Sequence, residues 1–136
     1  PFVIVCGFGE TGALICEGLD RSGTRFVVVE RNEARVAEVD LAGFSATTPA
    51  LCGDARLPEN LLMAGLQHAR CRGVLAVTDD DEANLAVAIA VRLLNPRIPV
   101  LARSRSEDVA ENMASFRTDH VINPFTVFGE YLSLLL

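Results

Sequence analysis

Short runs made wholly of apolar residues alternate along the chain with longer segments whose apolar positions recur every three or four residues. The first pattern marks buried parallel strands and the second amphipathic helices. The runs Phe2–Cys6, Phe26–Val29, Ala50–Cys52, Gly73–Val77, Pro99–Ala102 and His120–Ile122 predict strands. A helical pattern starts at Thr11, with Leu14, Ile15, Gly18 and Leu19 on one face, and ends near Ser22-Gly23. Asn32 is placed to cap a second helix, whose apolar positions Val36, Val39 and Leu41 precede Gly43. Leu57, Leu61, Leu62 and Leu66 mark a third, Asn84 to Leu94 a long one that stops before Asn95-Pro96, and Glu107 to Phe116 another. From Pro124 the chain is again apolar at helical spacing, through Phe125, Phe128, Leu132 and Leu135. Strands alternating with helices predict an α/β fold, a Rossmann-like doubly wound parallel sheet of about six strands with helices on both faces. Residues 1–123 form that domain, and 124–136 start an apolar C-terminal helix suited to packing or dimerisation.

Composition adds limits. A chain of 136 residues is one domain with a substantial core, and half of it is apolar. Its longest apolar stretches, such as Leu85 to Val91, fall short of the ~18 residues of a membrane span. No basic-then-apolar leader opens the chain, and the start at Pro1 suggests a piece of a longer protein. Net charge is −6, and the twelve basic residues, all Arg, form no stripe, so no nucleic-acid partner is expected. Cys6, Cys16, Cys52 and Cys71 lack metal-ligand spacing and read as reduced thiols, with Cys6 and Cys52 in apolar strands as small core residues.

The candidate chemistry lies in G-F-G-E-T-G, residues 7–12. A G-x-G-x-x-G loop alone is weak, but this one follows a strand, opens a helix and precedes a second strand that ends in an acid. Gly7 permits the tight turn, Gly9 lets backbone approach a pyrophosphate, and Gly12 lets helix and strand pack closely. The helix amino terminus offers N–H groups and partial positive charge to phosphates. Glu30, eighteen residues past Gly12, stands near the spacing of ~20 expected of an acid that accepts hydrogen bonds from ribose hydroxyls. The expected cofactor is therefore an adenine nucleotide, with an unphosphorylated ribose favoured although Arg31 could accommodate a 2′-phosphate. Glu10 stands where the anion would arrive. It reads as a helix-dipole acid, or as a group that weakens polyphosphate binding or helps hold a divalent cation.

Together V-I-V-C-G-F-G-E-T-G, V-V-V-E-R, C-G-D-A, L-A-V-T-D-D-D-E-A-N and V-I-N-P-F resemble the nucleotide-binding lobe of RCK domains (regulators of potassium conductance), also called KTN or TrkA-N domains. The resemblance runs from Phe2 to about Tyr131. It implies a regulatory domain at the cytoplasmic face of the membrane, answering NAD(H), ATP, ADP or AMP and controlling a potassium channel or transporter. By position, Gly7, Gly9, Thr11 and Gly12 would line the phosphates and Glu30 the ribose, with Phe8 and Glu10 counted among the cofactor-binding residues of the same loop. Arg31 and Asp54-Ala55 would flank the adenosine, and Thr78-Asp79 would close the pocket. Many relatives carry Arg where Glu10 stands, and the acids some members use for calcium are here Arg103 and Arg105.

The run Asp79-Asp80-Asp81-Glu82 reads as a helix cap with dipole complement rather than a metal site. His68 and His120 have no partner carboxylate or thiol in sequence. No catalytic residue and no metal are expected, since the chain has no Lys, one Tyr and no visible nucleophile–base pair. The alternatives are the NAD-binding part of an oxidoreductase whose catalytic part lies elsewhere, or a dimerisation module with a vestigial site. The nearly all-apolar Leu85–Leu94 helix and the tail predict a homo-oligomer, since both faces need cover.

Overall fold

The computed structural model describes residues 1–104 and the backbone of 120–122. Its elements run β1 (Phe2–Cys6), α1 (Glu10–Arg21), β2 (Arg25–Glu30), α2 (Glu33–Leu41), β3 (Ala50–Cys52), α3 (Pro58–Met63), β4 (Cys71–Ala76), α4 (Asp81–Leu94), β5 (Val100–Arg103) and β6 (His120–Ile122). The strands form one sheet in the order β3-β2-β1-β4-β5-β6, and every pairing is parallel. The order reverses between β1 and β4, as in the doubly wound sheet read from the sequence.

The central strand explains why the runs had to be apolar throughout. Successive side chains of a strand point to opposite faces. Ile4 and Cys6 of β1 join one core cluster with Leu61 of α3 and Val87, Ala88 and Val91 of α4. Val3 and Val5 join a second cluster with Ile15, Cys16 and Leu19 of α1 and Val39 of α2. Neither face of β1 meets water, so no polar position survives along it. Phe44 closes the second layer, edge-on to Phe8 and Phe26 with centroids 6.3 and 5.1 Å away.

Asn32 caps α2 as expected, its Oδ1 accepting from the N–H groups of Ala34 at 2.9 Å and Arg35 at 3.4 Å. Other expectations need correction. Leu14, Leu41, Leu57 and Leu62, expected on buried helix faces, are exposed, Leu41 to 83%. The cover comes from fewer residues: Ile15, Cys16 and Leu19 in α1, and Val39 alone in α2. Leu66 is buried but lies beyond the end of α3, which stops at Met63. Cys52 is exposed rather than in the core, because it ends a short strand at the sheet edge; Cys6, Cys16 and Cys71 are buried thiols. The domain itself buries Ala83, Val87, Ala88, Ala90 and Val91 of α4, leaving Leu93 exposed. The helices expected over 107–116 and from 124, with the boundary at 123, lie outside the described residues. Among the described residues no helix is long and apolar enough to cross a membrane.

Candidate functional site

A cavity of about 460 Å³ opens where five parallel strands end, bounded by Gly7 after β1, Glu30 of β2, Gly53 after β3, Val77 after β4 and Arg103 of β5. Doubly wound sheets take ligands at this edge, beside the point where strand order reverses. Gly7, Gly9, Glu10, Thr11, Glu30, Arg31, Asp54, Ala55, Thr78 and Asp79 all line it. Phe8 and Gly12 do not. The Phe8 side chain is buried in the core, and Gly12 lies beneath the loop as its support.

The loop owes its shape to missing side chains. Gly7 has a φ of +104°, and a Cβ there would stand 3.0 Å from the Thr78 backbone. A Cβ on Gly12 would fall 2.0 Å from the Gly7 carbonyl oxygen, closer than any atom pair tolerates. Helix α1 can therefore sit directly on the end of β1. Its N-cap, Gly9, supplies no side-chain hydrogen bond, so the first-turn N–H groups remain available to an anion.

Glu30 is 5% exposed and already holds two backbone groups. Its Oε1 accepts from the Phe8 N–H and its Oε2 from the Asn32 N–H, both at 2.8 Å. One carboxylate thus ties the glycine loop to the start of α2, with a lone pair left on each oxygen for a further donor. The Arg35 guanidinium lies 3.9 Å away and would touch a side chain at Gly9. Arg35 was missed in the sequence because the helical pattern gave it only a surface place. The topology sets the first turn of α2 beside the loop.

The facing wall, residues 78–80, depends on Asn84, which is wholly buried in α4. Its Oδ1 accepts from the Thr78 N–H at 3.0 Å and lies 2.7 Å from the Thr78 hydroxyl. Its Nδ2 donates to the carbonyls of Thr78 and Arg103, both at 3.0 Å. Sequence reading saw Asn84 only as the start of a helix. A polar residue among Ala83, Val87 and Ala88 was the available signal. The side chain of Asp80 caps α4, accepting from Glu82 and Ala83 N–H groups, as expected of the acidic run.

Charges around the cavity are mixed. Arg56, also missed, forms a bidentate pair with Asp54 that closes to 2.8 Å. Hydrogen bonding from the Arg56 side chain holds the Asp54 carboxyl below the usual range despite some desolvation. Burial pushes the Cys6 and Cys16 thiols up to about 12, leaving them protonated and unreactive. His68 accepts the Arg70 N–H through Nδ1 and lies against Phe2, away from the cavity. Among the described residues no three His, Cys, Asp or Glu side chains are grouped to hold a metal ion.

The family model of the TrkA-N domain matches residues 3–124. Potassium channel protein 1 of Methanocaldococcus jannaschii is 24% identical over 128 residues, covering 93% of this chain and 37% of that protein. The Trk system potassium uptake protein TrkA homolog of Pyrococcus horikoshii is 26% identical over 140 residues, covering 96% and 58%. The chain therefore spans less than two thirds of either relative. Among solved structures, the TrkA-N domain of the inner membrane protein ybaL from Escherichia coli superposes with a TM-score of 0.81 at 22% identity, covering 99% and 96%. GsuK bound to ADP gives 0.74 at 25% identity, covering 98% and 33%. The GsuK channel bound to NAD gives 0.75 at 20%, covering 96% and 23%.

Proposed function

Since the chain belongs to the TrkA-N family, we propose that it is a regulatory domain that binds an adenine nucleotide and thereby controls potassium or other monovalent cation movement through a membrane protein. The observation that carries the reading is the convergence of the glycine loop, the free first turn of α1 and the fixed carboxylate of Glu30 on one cavity. The ADP and NAD held by the two GsuK structures support an adenine nucleotide as ligand. NAD(H), ATP, ADP and AMP are the candidates. The proposed role is sensing rather than catalysis, a reading supported by the likeness to a potassium uptake protein and to the GsuK RCK domain. The domain works at the inner face of the membrane beside a membrane-embedded channel or transporter part, as a homo-oligomer, so that ligand shifts one copy against another. Such coupling requires the ligand to prefer one arrangement.

Calorimetry with NAD, NADH, NADP, AMP, ADP and ATP tests the site. At least one adenine nucleotide binds, NADP is not the tightest, and Glu30→Ala weakens binding by about 1–3 kcal/mol, the value of hydrogen bonds to a charged acceptor. Absence of binding by all six at millimolar concentration overturns the reading.

A further inference from the structure

We propose that the recess at the amino-terminal ends of β1, β2 and β4, where Arg25 and Arg72 converge, is a second anion site, suited to a phosphate monoester. It lies at the opposite end of the sheet from the glycine loop, about 17 Å along β1 from Phe2 to Gly7. It shares no lining residue with the nucleotide cavity.

The recess has a volume of about 380 Å³, within the range of small-molecule sites. Phe2 and Val3 of β1 line it with Ser22 and Thr24 of the turn after α1, and Arg25 and Arg72 stand on the strands to either side. None of its lining residues is acidic, in a chain that carries 18 acids against 12 bases. Neither guanidinium has an ion pair among the described residues. Asp20, the acid next to the turn in sequence, is engaged with Ser45, accepting from its N–H at 3.0 Å and its hydroxyl at 3.2 Å.

Arg72 is brought there by an irregularity in the sheet. Phe2 pairs with Cys71 and Val3 with Gly73, so β4 uses one residue more than β1 over that step. Arg72 is the extra residue, exposed between buried Cys71 and buried Gly73. A bulge of this kind re-aims a side chain. Here it turns one charge out of an inner strand while Val74, Leu75 and Ala76 keep their register on Ile4, Val5 and Cys6. Across β1, Arg25 pairs with Phe2 and is exposed at the start of β2. Two strand spacings set the arginines about 10 Å apart at Cα, a gap that two long side chains can close on one phosphate.

A helix carboxyl end ordinarily repels an anion. The end of α1 is closed instead. The N–H groups of Ser22, Gly23 and Thr24 donate to the carbonyls of Gly18, Asp20 and Leu19 at 2.9–3.1 Å, and the Ser22 hydroxyl also donates to Leu19. The last turn carries Arg21. The Thr24 hydroxyl lies 3.1 Å from that of Ser22, whose hydrogen is committed, so it can turn its own hydrogen to an arriving oxygen. Two like charges that share a recess repel. A phosphate dianion between them removes that repulsion and accepts paired hydrogen bonds from the planar guanidinium forks.

Titration of the isotope-labelled chain with inorganic phosphate at constant ionic strength, followed by NMR, tests this. The Nε–H signals of Arg25 and Arg72 and the amides of Ser22, Thr24 and Arg25 should shift together along one saturating curve, with a dissociation constant on the order of 1–10 mM. Glycerol phosphate should bind at least as tightly, and chloride should give no curve. Arg72→Gln should weaken binding by roughly fivefold or more, and Arg72→Lys, which keeps the charge and loses the fork, by about threefold. The double variant Arg25→Gln with Arg72→Gln should abolish saturation there while any shifts at Gly9 and Gly12 stay as in the parent. Both arginines are exposed, and thermal unfolding shows that each variant is folded. Shifts that rise without saturating, or that persist in the double variant, overturn the site. Shifts confined to Gly9 and Gly12 also overturn it and leave the nucleotide reading untouched.

Discussion

The two walls of the cavity are held in place by opposite means. The glycine loop is shaped by side chains that are absent: Gly12 admits no Cβ because the Gly7 carbonyl oxygen occupies its place. The wall at Thr78–Asp80 is shaped by one side chain that is present, the buried amide of Asn84. A steric wall fails when anything is added, since backbone cannot yield by an ångström without moving a strand. A polar wall fails when something is removed, since the groups left behind are buried without their partners. The first kind of wall is written in the residues that form it. The second is written in a residue six positions away, in another element.

Substitutions that respect one logic and violate the other sharpen this contrast. The largest effect belongs to Gly12→Ala, where the added methyl lies 2.0 Å from backbone. The variant should lose about 3 kcal/mol or more, or fail to fold, as read by urea denaturation. A midpoint equal to the parent's would show that the loop relaxes freely. Asn84→Ala should follow at about 2–4 kcal/mol, because it takes the acceptor from the Thr78 N–H and one donor from each of the Thr78 and Arg103 carbonyls. Asn84→Asp keeps the acceptor and loses the donors, so its loss should be similar, not smaller; stability close to the parent's would discredit the polar account of that wall. Glu30→Gln comes next, at about 1–2 kcal/mol, since its amide nitrogen must face one of two N–H donors. The same urea series measures it.

The smallest effect is one of pH. Because Arg56 lowers the Asp54 pKa in the folded chain, the pair contributes stability above the ordinary carboxylate range. That contribution disappears as pH falls through the lowered value. The pair is solvent-exposed, so screening leaves little of it, and acid titration of Arg56→Ala should run nearly parallel to the parent. A large divergence would make this exposed pair a structural element after all.

The sequence made the sheet legible because buried parallel strands leave no polar residue to confuse the pattern. The five strands β1 to β5 in the expected places follow largely from that fact, and the strand His120–Ile122 also stands where it is expected. Helix faces were read less well. Apolar spacing cannot tell whether the sheet extends beneath a given turn, so Leu14 and Leu41 were placed in the core although they face solvent. The glycine loop and Glu30 were legible because their spacing is set by local geometry. The carboxylate's grip on the Phe8 N–H across 22 residues was not. Arg35 and Arg103 reach the cavity, and Asn84 braces its wall, through the packing of separate elements, which no single stretch of sequence displays.

The central position of β1 has a consequence for how the chain is made. The strand is complete by Cys6, and one of its edges pairs with β2, whose residues Arg25–Val29 follow within one helix. Its other edge waits for β4, beginning at Phe2↔Cys71. A nascent chain that has emerged only as far as α3 thus carries an apolar strand with an unpaired row of N–H and C=O groups, the kind of edge that recruits a neighbouring chain. The interval between residues 25 and 71 is the span of synthesis in which this domain is most exposed to misassembly on the ribosome. A premature stop anywhere within it yields a fragment with a sticky edge, not a smaller working domain.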